Sequence, residues 1–339
     1  MDAAEATVLD LIFGSWRTQI LYAGVQLGVF EALGRGRASA DQLARALQVD
    51  ARLLYRLLRA LGSLALVHED PHQCFTLTPL GAILRQEHPQ SLRGLTLLEA
   101  GPEHTAAWTH LSALITAGQQ DAFGREVGEP VYAYADQDPS YDAVLNEGLR
   151  TYARLDNPLV LEALAAYDFT GIAHLCDVGG GHGLTLCSLL VRHPHLRGTV
   201  LERPHVLAQP DAFWAATLDV SDRCTYVAGD MFQAVPPADA YLLKRILHNW
   251  NDVECGQLLA LLHRAAPAQG RVFIIEQLVP GPDTPHFAKL FDLHMLILLT
   301  GRERTVEEYT QLLTGAGWTY RQTWYPASKR LDVVEAVKA

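Results

Sequence analysis

The stretch "LCDVGGGHGLTLCSLL", Leu175–Leu190, sets four glycines, three of them at alternate positions, between one apolar run ending on Val178 and another beginning at Leu184. Glycine permits a tight turn and lets a ligand approach the backbone closely. The run therefore predicts a strand, a glycine turn and a helix. In a dinucleotide fingerprint the third glycine stands five residues after the first. Here Gly179, Gly181 and Gly183 follow Asp177 as D-x-G-x-G-x-G, with the third glycine four residues after the first. The next apolar run, "GTVLE", ends on Glu202, 23 residues after Gly179. A carboxylate there can accept both hydrogen bonds of a ribose diol. A glycine loop alone would equally suit a structural turn; loop, strand context and acid together point to a nucleoside-type ligand.

Outward from this stretch the rhythm is strand, turn, helix. "AHLCDVG", "GTVLE", "CTYVAG", "AYLLKRIL" and "RVFIIEQLV" are short strand-like runs separated by helix-length segments, the pattern of a parallel sheet with helices on both faces. The tail "WTYRQTWYPASKRLDVVEAV" predicts an antiparallel edge hairpin around Pro-Ala-Ser. Upstream, residues 8–33 carry apolar positions at helical spacing, as one or two helices stopped by Gly34. Ser39 and Asp50 then cap two further helices, the second carrying Leu53, Leu54, Leu57, Leu58 and Leu61 on one face and ending at Gly62. Two short strands around Asp70-Pro71 and another helix complete the outline of a winged helix. Residues 88–165 are mostly helical, broken by "GREVGEPVYAYADQDPSYD".

The 339 residues suit about two domains, and 49% apolar content is enough to bury sizeable cores. A net charge of −11 argues against broad nucleic-acid binding. The five cysteines have no paired spacing and are expected as reduced, mostly buried thiols. The acidic N-terminus lacks a basic n-region, and no window holds eighteen uninterrupted apolar residues, so a cytoplasmic protein without a membrane span is expected.

A second stretch bears on chemistry. "YLLKRILHNW", Tyr241–Trp250, carries an apolar run through a Lys-Arg pair to His248. A histidine at the carboxyl end of a parallel strand would lie in the crevice where open α/β sheets bind ligands. With "DVGGGHG", "LERPHV", "GDMF", "LLKRILHNWND", "IIEQLVP" and "GRERTVEEY" in this order, the chain resembles the S-adenosylmethionine-dependent O-methyltransferases of the plant caffeate type and their bacterial relatives. The glycine spacing agrees, since S-adenosylmethionine has no pyrophosphate to cradle. The N-terminal winged helix and "LTPLGAIL" look like that family's dimerisation domain.

The resemblance implies a Rossmann-like methyltransferase domain over residues 166–339, a winged-helix dimerisation domain over 1–100 and a helical connector over 101–165. It implies S-adenosylmethionine, left as S-adenosylhomocysteine, held by Gly179, Gly181, Glu202, Asp230 with Met231, and Lys244, with no metal. It makes His248 the catalytic base, flanked by Glu276 and Glu303. By residue type alone, Asp230 would suit an ordinary turn, Met231 core packing and Glu303 a solvated turn before a Thr305–Glu308 capping box. Asp292 and Met295 match positions lining the acceptor pocket, expected between the middle helices around Trp108 and Tyr152 and the segment "FAKLFDLHMLILL". The implied acceptor is a small aromatic hydroxyl of secondary metabolism and the implied partner a second copy of the chain, with no nucleic acid and no membrane. One residue departs from the family: Asn249 stands where Asp is common. Transfer to N or C, and a reaction without methyl transfer, stay open at this point. So does a winged-helix DNA regulator, with Arg52, Arg56 and Arg59 on the second capped helix. The pair His193 and His195 lacks further ligands at zinc spacing.

Overall fold

Period-two alternation sends the side chains of a buried strand to opposite faces, and here each face has its own apolar core. In the computed structural model, which describes residues 2–208 and 212–338, the chain folds as two compact units. One comprises residues 1–109 with 126–152, the other residues 110–125 with 153–339.

The first unit contains a three-stranded antiparallel sheet of β1 (Ala38–Ser39), β2 (Val67–Glu69) and β3 (Cys74–Leu77), ordered β1-β3-β2. Its helices include Ala3–Ile12, Gly14–Gln26, Val29–Leu33, Ala40–Leu47 and Ala51–Ser63. The region expected as one or two helices thus holds three, because Phe13 caps the first and Gly28, at φ 75°, breaks the second from the third. Helix Ala51–Ser63 runs through Gly62; the turn that follows is made by Ala65 at φ 57°. Its buried arc is Leu54, Leu58 and Leu61, whereas Leu53 is 60% exposed, so the five leucines do not share one face.

The second unit is built on a seven-stranded sheet. Its strands are β4 (His174–Val178), β5 (Arg197–Glu202), β6 (Cys224–Ala228), β7 (Ala240–Lys244), β8 (Arg271–Glu276), β9 (Trp318–Trp324) and β10 (Asp332–Lys338). The order is β6-β5-β4-β7-β8-β10-β9; the first five are parallel, and β10 runs antiparallel to both neighbours. Leu175, Leu242, Phe273 and Ile275 enter one core with helix Leu184–Arg192. Cys176, Tyr241, Leu243 and Ile274 enter the other with helices Asp252–Ala265 and Val306–Gly315. The C-terminal hairpin forms as expected, with one refinement. Only β9 is at the edge, because "DVVEAV" is buried on both faces and sits between β8 and β9.

No helix among the described residues is long and apolar enough to cross a membrane. The cysteines are all thiols, four of them buried.

Candidate active site

The strand order brings the carboxyl ends of β6, β5, β4 and β7 side by side, and the expected cofactor residues lie along that edge. After β4 the glycine loop turns with Gly179, Gly181 and Gly183 at φ 68°, 57° and 83°, a region that side chains other than glycine's rarely adopt. The Gly181 N–H donates to Glu202 Oε2 at 3.0 Å, and the other oxygen of Glu202 accepts from the Arg203 N–H at 2.8 Å. Asp177 lies directly under the loop: a side chain at Gly180 would stand 2.5 Å from its carboxyl carbon. Asp177 is buried, and burial pushes its carboxyl up to about 6. Asp230, after β6, is exposed and accepts from the Phe232 N–H at 2.9 Å, so its carboxylate organises its own turn. Met231 is half-buried against the second core, and Lys244 closes β7 half-buried.

The histidine does not terminate a strand, as the sequence led us to expect. Strand β7 stops at Lys244, Arg245 takes φ 53°, and His248 falls on a single 3-10 turn, Leu247–Asn249. Several groups hold this turn. Glu276 Oε1 accepts from the Ile246 and His248 N–H groups at 3.0 and 3.4 Å, and the Asn249 amide donates to the Arg245 carbonyl at 3.1 Å. The wholly buried Arg304 donates to the carbonyls of Leu247 and Trp250 at 3.0 and 2.9 Å and pairs with Asp252 at 2.7 Å. Gly301 lies against the same turn, where a Cβ would stand 2.0 Å from the His248 carbonyl oxygen.

His248 is 4% exposed. Its Nδ1 is 2.8 Å from Glu303 Oε1 and 3.4 Å from Glu276 Oε2, and both acids are buried. Thr305 and Glu308 do close a capping box for helix Val306–Gly315, yet Glu303, two residues earlier, is no solvated turn residue. Its N–H donates to Asp292 Oδ1 at 2.9 Å. Phe291, one turn before the buried Met295 on helix Phe287–Leu298, lies nearly parallel to the imidazole, 5.9 Å between centroids and 26° between planes. Burial disfavours charge on every member of the cluster. It pushes His248 down to about 4 and Glu276 and Glu303 up to about 7 and about 8, opposed for His248 by the charge of Glu276. When Glu303 is ionised, Nδ1 must carry the proton and donate it, which leaves Nε2 as a free acceptor. An imidazole whose Nδ1 is held by a buried carboxylate can accept a proton at Nε2.

Three members of this surround were not singled out by sequence reasoning: Arg245, Asp156 and Arg304. Arg245 binds Asp156 through two nitrogens at 2.5 and 3.1 Å. The signals were present, as a Lys-Arg pair inside an apolar run and a lone aspartate before "NPLVL". The helix from Pro139 to Ala163 carries Asp156 through Pro158 without interruption.

Comparison with known proteins agrees with this geometry. The O-methyltransferase domain model matches residues 108–319, and the O-methyltransferase dimerisation domain model matches residues 9–87. Phenazine O-methyltransferase PhzM of Lysobacter antibioticus is 34% identical over 98% of this chain and 96% of its own length. The crystal structure of LaPhzM superposes with a TM-score of 0.92 at 33% identity, covering 100% of both chains. That of CalO1, a methyltransferase in calicheamicin biosynthesis with S-adenosylhomocysteine bound, gives 0.80 at 32% identity, again over 100% of both. The family match does not favour the DNA-regulator reading. The chain belongs to the O-methyltransferase family and is an S-adenosylmethionine-dependent O-methyltransferase with that family's dimerisation domain at its N-terminal end.

Proposed function

We propose that this enzyme methylates a hydroxyl of a small aromatic compound of secondary metabolism, with His248 as the general base and Glu276 and Glu303 orienting it. The observation that carries this reading is the 2.8 Å contact between His248 Nδ1 and Glu303 Oε1, which places the proton on Nδ1 and leaves Nε2 as acceptor when Glu303 is ionised. A phenol with a pKa near ~10 is protonated at neutral pH and attacks poorly. Proton acceptance by the Nε2 lone pair as the oxygen attacks is worth about 10²–10⁴-fold. A relative supplies the class of acceptor: PhzM is a phenazine O-methyltransferase.

The cofactor half fits S-adenosylmethionine. Below the glycine turn lies the buried acid Asp177, and a side chain at Gly181 would meet nothing within 4 Å, so the turn offers open space above that acid. Gly179 and Gly181 would let the ligand close on the backbone, Glu202 would accept from its ribose, and Asp230, Met231 and Lys244 would complete the holding set. When bound, the cofactor supplies an electrophilic methyl on a sulfonium sulfur. Asp292 would support Glu303, and Met295 would help to line the acceptor pocket.

A homodimer through the N-terminal domain is part of the proposal. The dimerisation-domain match supports it, as do Leu11, Ile12 and Trp16, which are 76%, 59% and 63% exposed on the first two helices. Sedimentation at micromolar concentration should give a dimer, and a monomer would contradict this part. The test of the chemical reading is His248→Ala. It should lose about 10²–10⁴-fold in turnover while binding S-adenosylmethionine as the parent does. Turnover equal to the parent's would remove His248 from the mechanism.

A further inference from the structure

A buried ion pair is a poor way to stabilise a fold, because desolvation offsets much of the attraction. A left-handed backbone at a residue other than glycine carries its own strain. Arg245 combines both features three residues before the base. Its φ is 53°, its side chain is 14% exposed, and it is paired through two nitrogens with Asp156, itself 4% exposed. With the Gln277 amide turned oxygen-inward, that oxygen accepts from the same guanidinium at 2.9 and 3.2 Å. The guanidinium carbon lies 5.3 Å from the centroid of Phe291, the ring that also stacks on His248. Arg245 and His248 are thus joined through one aromatic ring as well as through one turn.

From this geometry we infer that the Asp156–Arg245 pair is a positioning and charge-setting device for the base. Arg245 braces Phe291 beside the His248 imidazole and places a fixed cation near the two buried carboxylates, while Asp156 holds that cation in register and limits its reach. The inference rests on the reading of His248 as the base.

The titratable and charged groups around the imidazole come from several elements. Glu276 is on β8, and Glu303 and Arg304 precede the helix Val306–Gly315, which carries the buried Tyr309. Lys244 closes β7 and Arg245 follows it, Asp156 is on the long helix, and Asp292 and His294 flank Phe291 on its own helix. Arg245 and Asp156 are the pair among these whose charges oppose each other within hydrogen-bond reach and whose members both act on His248. Arg245 favours the ionised carboxylates and disfavours the imidazolium; Asp156 does the reverse.

The two partners should therefore shift the acid limb of kcat/KM in opposite directions. Asp156→Asn leaves the cation uncompensated, favours ionised Glu276 and Glu303, and should move the limb to lower pH. Arg245→Gln leaves the Asp156 anion and should move it to higher pH, each by on the order of one pH unit. The double variant should return the limb close to the parent's position, and Arg245→Lys, which keeps the charge, should stay near the parent. Limbs that stay in place or move the same way in both single variants would overturn the inference. If either single variant fails to fold, the comparison of Arg245→Lys with the double variant decides. A kcat in either that falls to the level of His248→Ala, or a limb displaced from the parent's by a full unit, would overturn it. The failure of the underlying reading looks different: in that case His248→Ala keeps the parent's rate and limb.

Discussion

The two halves of the second unit's carboxyl edge are built by different means. The glycine side is made of backbone: three left-handed glycines, and a glutamate whose oxygens accept from the main chain of Gly181 and Arg203. The histidine side is made of buried charge: His248, Glu276, Glu303, Arg245, Asp156 and Arg304, drawn from separate stretches of chain. Apart from the buried Asp177 beneath the loop, the glycine side depends on backbone geometry and should read out as affinity. Buried charge is sensitive to every proton in its neighbourhood, and under the proposed function it should read out as rate.

That contrast is broken most sharply at Glu303. In Glu303→Gln the amide oxygen can still accept from Nδ1, but no charge remains to stabilise the imidazolium as it forms. Turnover should fall by roughly 10²-fold, within the range general-base help supplies, with S-adenosylmethionine affinity unchanged. Steady-state kinetics beside calorimetric titration checks both, and a joint loss of rate and affinity would merge the two halves into one. Leu242→Ala, in the core beneath both, should lower stability by about 2–5 kcal/mol and spare the pH profile of the folded enzyme, as denaturant melts and kinetics would show. On the glycine side, Glu202→Ala should weaken S-adenosylmethionine by about tenfold, near 1.4 kcal/mol. Its kcat at saturating cofactor should stay at the parent's value; a drop in kcat with intact affinity would place Glu202 in the chemical half instead. The smallest effect is expected from Asn249→Asp. It removes the amide that donates to the Arg245 carbonyl, one hydrogen bond worth about 0.5–1.5 kcal/mol, and adds a negative charge near the turn. The acid limb should move to higher pH with little change in its plateau.

The same contrast explains what the sequence made legible. Alternating apolar runs and glycine spacing are local signals, so the five parallel strands, the loop and Glu202 could be placed from short windows. The histidine side has no local signature. Glu303 sits beside a capping box, and nothing in "GRERTVEEY" alone tells a buried acid from a solvated one. Its place beside His248 was expected only through the resemblance, which carried nothing about Arg245 or Asp156. Burial of a charge is decided by distant segments closing over it: Asp156 and Arg245 are 89 residues apart. The helix boundaries that moved had a different cause. Ala65 adopts a left-handed turn that propensity assigns to glycine, so Gly62 looked like the stop. His248 sits past the end of its strand because Glu276, Asn249 and Arg304 satisfy a turn that no apolar pattern records.

The central claim is that ionised Glu303 fixes the proton on His248 Nδ1 and frees Nε2. Nitrogen NMR of histidine-labelled enzyme, with the His248 signal identified by its absence from His248→Ala, observes this directly. Both carboxyls are raised by burial, to about 7 and about 8, so they should be ionised at alkaline pH and gain protons as the pH falls through that range. The expected result is a neutral ring with the proton on Nδ1 at pH about 9, giving way as the carboxyls protonate. A ring that carries its proton on Nε2 at alkaline pH, or one that is already an imidazolium there, would contradict it.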